Sequence, residues 1–153
     1  MRAQLSQIPV VEPSWPERVR LRSYRDGDGP RVHALLAHAY RHGGGAVAPL
    51  DEWLRTIPTD EEFEPELVLL AEADGELVGV ALCWTSAFVK DLAVHESWRG
   101  RGLGEALLRH VLAVFRARGA PHVDLKVEAN NPSGAQRLYA RVGMRVVERL
   151  KLP

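Results

Sequence analysis

The sequence predicts a mixed α/β (α+β) fold, in which a largely antiparallel central sheet is flanked by about four helices. Three observations predict this class. The chain has 153 residues, of which 46% are hydrophobic, as expected for one globular domain. Two apolar runs on either side of Asp74-Gly75 predict an antiparallel hairpin. Helical patterns alternate with strand-like segments after it, which predicts βαβ units and therefore a mixed sheet.

The N-terminal segment, residues 1–17, is predicted to form an extended arm, because Pro9, Pro13 and Pro16 occur there without any periodic pattern. Residues 18–153 are predicted to form a single domain. It begins with a short strand over Arg18–Arg22, in which apolar residues and arginines alternate.

Two helices are predicted next. Asp26-Gly27-Asp28 and Pro30 favour a helix start. Apolar residues then recur at helical spacing: Val32, Leu35, Leu36 and Ala39. The glycines at 43–45 end this helix. A second, short helix is predicted over Leu50–Ile57 and stops before Pro58.

Three strands are predicted in the middle of the chain. Leu67–Ala71 and Leu77–Leu82 flank the Asp74-Gly75 turn, and Phe88–Val94 follows them.

The last part of the chain is predicted to alternate helices and strands. A helix over Leu103–Arg118 is closed by Gly119. The remaining elements are a strand over His122–Ala129, a helix from Ser133 to Val142 and a strand over Met144–Leu152. The predicted order is therefore β-α-α-β-β-β-α-β-α-β.

Charge and composition narrow the classes of function. Lys+Arg and Asp+Glu both number 20, and this balance argues against a nucleic-acid or anionic-membrane binder. The start lacks the apolar core of a signal peptide and no apolar stretch spans a bilayer, so a cytoplasmic protein is expected. The lone Cys83 lies in an apolar run and is interpreted as a buried small hydrophobe. No metal is expected, since the six histidines show no familiar ligand spacing with it.

The segment Asp91–Gly104 passes directly from a predicted strand into a predicted helix. A helix N-terminus presents N–H groups without partners and a partial positive charge. Three glycines let an anion approach those groups closely, and two arginines add charge suited to a phosphate. These residues are Arg99, Gly100, Arg101, Gly102 and Gly104. The segment therefore predicts a pyrophosphate-binding turn.

Two other glycine-rich turns bind phosphates. The nucleotide P-loop is excluded, because Gly104 is followed by Glu105 and Ala106 rather than by lysine and a hydroxyl residue. A dinucleotide fingerprint stays open, with Glu128 as its ribose-binding acid, although the last glycine comes one residue early. The antiparallel first half of the chain counts against it.

Two motifs give the chain a resemblance to the GNAT superfamily of N-acetyltransferases. The Arg99–Gly104 segment matches that family's R/Q-x-x-G-x-G/A signature. The Asn131–Met144 segment resembles its second signature, N-x-x-A-x-x-L-Y-x-x-x-G-F. It departs by one extra residue between Asn131 and Ala135, which leaves the role of Asn131 open, and by Met144 in place of phenylalanine.

The resemblance implies acetyl-CoA as cosubstrate and assigns residues to it. Backbone N–H groups at the end of a bulged strand would stabilise the thioester oxygen. They map to Leu92, Ala93 and Val94. The residues implied to bind the cofactor are these three together with Arg99, Gly100, Arg101, Gly102, Leu103, Gly104, Asn131, Ser133 and Tyr139.

The resemblance also implies that Tyr139 donates a proton to the departing sulfur. A tyrosine with a pKa of ~10 is protonated at neutral pH and is close to a thiol of ~8.5. Helical spacing with Ala135, Leu138 and Val142 equally predicts that Tyr139 packs in the core.

The general base stays open. Asp91, Glu128, Glu72 and His95 are candidates, because each lies in or next to a predicted strand. An acidic segment, residues 51–66, could attract a cationic acceptor, or it could be a solvated loop.

The expected function is acetyl-CoA-dependent transfer of an acetyl group to a primary amine of a small molecule or peptide by direct attack. The expected partners are acetyl-CoA and the amine, with neither nucleic acid nor membrane, in a monomer or homodimer. Two alternatives remain: a non-catalytic module that binds CoA or a nucleotide, and an NAD(P)-dependent oxidoreductase.

Overall fold

The computed structural model describes residues 1–43, 45–126 and 135–146. These residues contain six strands and four α-helices. In chain order the elements are β1 (Arg2–Gln4), β2 (Val19–Ser23), α1 (Gly29–Ala39), α2 (Leu50–Thr56), β3 (Phe63–Ala73), β4 (Glu76–Trp84), β5 (Phe88–Val94), α3 (Leu103–Ala117), β6 (His122–Leu125) and α4 (Ala135–Val142).

The strands form one sheet in the spatial order β1-β6-β5-β4-β3-β2. Every neighbouring pair is antiparallel except β5 and β6, which are parallel. The β3–β4 hairpin turns at Asp74 and Gly75, whose φ angles of 53° and 80° are both positive, as a tight primed turn requires. The predicted fold class, a mixed and mostly antiparallel sheet flanked by helices, is confirmed.

Helices cover both faces of the sheet. Leu67 and Leu69 of β3 belong to the core beneath α3, while Val68 and Leu70 belong to the core beneath α1 and α2. This explains why Leu67–Ala71 is an unbroken apolar run, since neither face of this part of β3 meets water. No helix in the described ranges has both the length and the apolar character needed to cross a bilayer.

The N-terminal segment differs from its prediction. An extended arm over residues 1–17 was predicted, but Arg2–Gln4 pairs antiparallel with β6, and Ala3 is fully buried. Arg116 of α3 then donates to the carbonyl oxygens of Leu5 and Ile8, at 3.1 and 2.9 Å. A three-residue strand is too short to show an alternating pattern, and its partner lies about 120 residues away in sequence.

The C-terminal elements can be compared only in part. The strand predicted over His122–Ala129 ends at Leu125 within the described residues, and the helix predicted from Ser133 is described from Ala135 onward. Of the final strand predicted over Met144–Leu152, Arg145 forms an antiparallel bridge with Arg2. Residues 127–134 and 147–153 lie outside the described residues.

Candidate active site

The fifth strand contains a β-bulge at Lys90. Asp91 pairs with Leu82, but Val89 pairs with the very next residue of β4, Cys83, so Lys90 is the extra residue. One extra residue reverses the alternation of side chains along the strand. Val89 therefore belongs to the core beneath α3, whereas Ala93 belongs to the core beneath α1. Asp91 shares the α1-facing side with Ala93.

The described pairing of β5 with β6 consists of Phe88 with Asp124 and Val89 with Leu125. The fifth strand borders a cavity of about 730 Å³. The cavity is lined by residues 88–94 of β5, the start of α3, one face of α4 and the segment after α1. Leu92, Ala93 and Val94 all line it.

The start of α3 forms an open cradle at one side of this cavity. Gly100 and Gly102 have φ angles of 76° and 83°, and a Cβ built on either would meet no atom within 4 Å. The Ala106 N–H donates to the Gly102 carbonyl at 3.0 Å, so the amides of residues 103–105 precede the first full helical bond. Positive backbone charge thus faces a space that glycine keeps empty, and an anion such as a pyrophosphate fits it.

The side chains around the cradle have separate roles. Arg99 lines the cavity, and its Nε lies 3.4 Å from the Val94 carbonyl. Arg101 was expected to bind phosphate, but its guanidinium stacks on the Trp98 ring at 4.6 Å and does not line the cavity. This cation–π contact holds Arg101 beside the cradle rather than inside it.

Gly104, the third glycine, and Leu103, which precedes it, both serve packing. A Cβ on Gly104 would lie 3.4 Å from Leu138, so this glycine lets α3 and α4 approach closely. The Leu103 side chain is buried in the core. Glu105 joins the two helices by accepting from Arg141 at 2.7 Å.

Tyr139 lies on the inner face of α4 and lines the cavity. It is 8% exposed and belongs to the core beneath α3, so its ring packs while the residue borders the cavity. Burial raises the pKa of Tyr139 to about 12. Its hydroxyl is therefore protonated at neutral pH, the state that a proton donor needs.

Asp91 is the buried carboxylate of the cavity. It is 6% exposed and accepts two hydrogen bonds, one on each oxygen. The Tyr40 hydroxyl donates to Oδ1 at 3.0 Å, and the Lys90 ammonium donates to Oδ2 at 3.0 Å. The backbone N–H of Leu92 also faces the Tyr40 hydroxyl. Burial, followed by the negative charge of Asp91, raises the pKa of Tyr40 well above its ordinary value.

Residues 30–144 match the family described as the acetyltransferase (GNAT) family. The chain belongs to this family. Its bulged strand, glycine cradle and α4 tyrosine are therefore parts of a GNAT domain.

Similar proteins agree with this placement. The chain is 31% identical to a mycothiol acetyltransferase of Streptomyces avermitilis, over 94% of the chain and 48% of that protein. It is 34% identical to the mycothiol acetyltransferase of Beutenbergia cavernae, over 84% of the chain and 46% of that protein. The chain thus spans about half the length of these curated relatives.

Solved structures show the same fold. A GCN5-related N-acetyltransferase from Sphaerobacter thermophilus superposes with a TM-score of 0.78 and 33% identity, over 94% of this chain and 46% of that one. AAC(6')-Iy, solved in complex with the bisubstrate analog CoA-S-monomethyl-acetylneamine, gives a TM-score of 0.70 over 88% of this chain and 96% of that one. At 17% identity the second likeness concerns the fold alone.

Two other base candidates lie away from the cavity of this GNAT domain. Glu72 accepts from Arg22 at 2.7 Å and lies 3.7 Å from Arg31. The His95 ring stacks on His38, with centroids 4.8 Å apart, and neither Glu72 nor His95 lines the cavity. These residues were candidates because each lies in or next to a strand. Whether a side chain reaches the cavity depends on which face of the sheet it lies on and on its distance from the end of the strand. Glu128, Asn131 and Ser133 lie outside the described residues.

The acidic segment, residues 51–66, was expected to lie on the side of the site where the acceptor amine binds. No residue of this segment lines the GNAT cavity. Among the described residues, the acidic ones that line it are Asp91 and Glu105, and the lining cations are Arg41, Lys90, Arg99, Lys126, Arg137 and Arg141. The acidic segment instead belongs to α2 and the start of β3, where Glu64 pairs with Arg118. The lining of the cavity therefore does not support attraction of a cationic acceptor by that segment.

Sequence reasoning did not identify Tyr40. This residue follows the last turn of α1 and meets Asp91 across 51 residues of sequence. The glycine run after it was interpreted as a helix end, yet Gly45 lies directly against the Tyr40 ring. The sequence signal that could have identified Tyr40 was its position between an amphipathic helix and a run of glycines. Among the described residues, no three His, Cys, Asp or Glu side chains are grouped closely enough to hold a metal ion.

Proposed function

We propose that this GNAT domain transfers the acetyl group of acetyl-CoA to a primary amine of a small molecule or peptide by direct attack. The observation that carries the proposal is the open α3 cradle beside β5, with Tyr139 and Asp91 on the same cavity. Similarity to mycothiol acetyltransferases and to a fold solved with a CoA bisubstrate analog supports the cosubstrate.

The cradle residues fit the anionic end of acetyl-CoA. The amides of residues 103–105 and the Arg99 side chain supply positive charge, and the missing Cβ atoms of Gly100 and Gly102 leave room for phosphate oxygens. In this proposal the thioester lies along β5, where Leu92, Ala93 and Val94 line the cavity. A backbone N–H group of this segment would stabilise the carbonyl oxygen as it gains negative charge.

Each proton of the attacking ammonium has an acceptor in this proposal. Asp91 takes one proton from the ammonium, and the free amine attacks the thioester carbon, so that a C–N bond forms and the C–S bond breaks. Tyr139 gives its proton to the departing sulfur. The second proton of the nitrogen restores Tyr139, and Asp91 releases its own proton to solvent. One proton leaves per turnover.

The lining charge favours an acceptor with a single amino group. The described residues that line the cavity include six lysines or arginines and two acids, and a polyamine would meet net repulsion from them at any site that the phosphates do not neutralise. We therefore expect monoamines, amino-acid amides or peptide N-termini to be preferred over polyamines and aminoglycosides.

The NAD(P)-dependent alternative is not supported. Dinucleotide folds are built from successive parallel βαβ units, whereas the described part of this sheet has one parallel pair, β5 with β6. The alternative of a non-catalytic CoA-binding module is decided by experiment.

The test combines binding and turnover. Calorimetry measures the affinity of acetyl-CoA, and thiol release measures transfer to a panel of monoamines, amino-acid amides, peptides, polyamines and aminoglycosides. Tight binding with amine-dependent thiol release is expected. Tight binding without transfer to any amine would favour a binding module, and preference for NAD(P) over acetyl-CoA would refute the assignment of the cradle.

A further inference from the structure

A buried hydroxyl fixes the orientation of the cavity's buried carboxylate. Tyr40 donates to Asp91 Oδ1 at 3.0 Å while Lys90 donates to Oδ2 at 3.0 Å, so the carboxylate is held from two directions. Asp91 is 6% exposed, and few waters can replace either donor. Hydrogen bonds to a charged group in such surroundings are stronger than those between neutral groups.

The position of the Tyr40 ring is set by the chain that follows it. A Cβ on Gly45 would lie 2.9 Å from two ring atoms and 3.0 Å from a third. Since real Cβ atoms do not approach that closely, any side chain at residue 45 would move the ring. The ring end carries the hydroxyl, so such a movement would separate it from Asp91. Glycine at this position keeps the contact possible.

The bulge brings the carboxylate to this hydroxyl. If Lys90 were paired in a regular ladder, Asp91 would share the face of Val89, beneath α3. With the bulge, Asp91 faces the end of α1, where Tyr40 packs against the neighbouring core. The other titratable groups that act on this pair are Cys83 of β4, whose pKa rises through burial and then through the charge of Asp91, and Tyr139 of α4.

We propose that Tyr40 is a positioning residue for Asp91: its hydroxyl holds the carboxylate in the orientation that accepts the proton of the acceptor amine. This inference rests on the proposed function for its catalytic consequence. The geometric part, a hydroxyl that holds one oxygen of the carboxylate, is independent of any reaction. Tyr40 acts through Asp91 and needs no contact with the amine.

The direct test is the ¹³C resonance of the Asp91 carboxyl carbon at neutral pH, assigned by its loss in Asp91→Asn. Its chemical shift reports the hydrogen bonds that the carboxylate accepts, so loss of the Tyr40 donor in Tyr40→Phe should displace it. Gly45→Ala should also displace it, because it moves the ring while the hydroxyl is retained.

The matched control is Tyr24→Phe. Tyr24 packs edge-on against Phe63, at 5.3 Å between ring centroids, and it does not line the cavity. This variant removes a tyrosine hydroxyl outside the site, so the Asp91 carboxyl resonance should stay as in the wild type.

Kinetics separate positioning from packing. In Tyr40→Phe, kcat at neutral pH should fall about tenfold, and KM for acetyl-CoA should be unchanged. An Asp91 carboxyl resonance that is identical in the wild type, Tyr40→Phe and Gly45→Ala would overturn the proposal. A displaced resonance with an unchanged kcat would overturn its catalytic part. A wild-type protein that transfers acetyl to no amine would refute the proposed function, while the resonance would still decide the role of Tyr40.

Discussion

Replacing Gly102 with glutamate puts a side chain into the space at the start of α3. Gly102 has a φ of 83°, and nothing lies within 4 Å of the position its Cβ would take. The backbone cost of a side chain at this φ is about 1–2 kcal/mol, which should lower Tm by a few degrees in a chain of this length. The folded structure should therefore survive.

Binding should suffer far more than folding. The new carboxylate would occupy the space left for the phosphates and repel them. Loss of two charge-assisted hydrogen bonds corresponds to about 3 kcal/mol or more, so the Kd for acetyl-CoA should rise at least ~100-fold. Gly102→Ala, which adds a methyl group and no charge, should give a smaller loss of affinity with the same backbone cost.

The matched control lies at the other end of the same helix. Gly119 has a φ of 81° and equally open space around its Cβ position, so Gly119→Ala bears the backbone cost without touching the cradle. Thermal unfolding should show similar destabilisation for the two alanine variants, and calorimetry should show wild-type affinity for Gly119→Ala alone. Unaltered acetyl-CoA affinity in Gly102→Glu would refute the cradle.

Three further outcomes follow from the structure. Tyr139→Phe should lower kcat by about 10²-fold or more and leave acetyl-CoA affinity unchanged; because burial raises the pKa of Tyr139 to about 12, the ratio of wild-type to variant kcat should stay constant from pH 7 to 10, and a falling ratio would contradict its role. The Arg22 hydrogen bond holds the pKa of Asp28 below its usual range, so its stabilisation is full above about pH 4 and is lost as pH falls through the lowered value. Asp28→Asn should reduce the unfolding free energy at pH 7 and flatten its acid dependence, as measured by urea unfolding; an unchanged acid slope would contradict this. Leu107→Ala, at a side chain with no exposed surface, should cost about 2–5 kcal/mol of unfolding free energy in the same assay, and a loss below 1 kcal/mol would show that the core beneath α3 readily closes the gap.

Local patterns predicted much of the secondary structure. The strand over Phe88–Val94 was predicted with both of its ends, and the helix predicted over Leu103–Arg118 is one residue shorter than expected. Both have clear local signals, an apolar strand that ends at polar residues and a helix bounded by glycines. The strand predicted over Leu67–Ala71 begins earlier in the structure, because Phe63 pairs with Trp84 of β4 although charged residues separate it from the apolar run.

The glycine turn was equally readable, since positive φ angles and an approachable helix N-terminus are properties of a few consecutive residues. The bulge at Lys90 was expected only through the family resemblance. A single extra residue in one strand leaves no mark on that strand's composition. It appears only when β4 is paired beside it.

The sequence by itself determined the fold class, the cradle and the family, because each depends on residues adjacent in the chain or at a fixed spacing. Tertiary structure alone decided which carboxylate meets the cavity. In the sequence, Asp91 and Glu72 were equal candidates, because both are acidic residues of predicted strands. In the structure, the bulge turns Asp91 toward Tyr40, whereas Glu72 is paired with Arg22 away from the cavity. The partners of a buried charge are brought by distant segments, and its environment therefore exists only once the sheet and its covering helices have assembled.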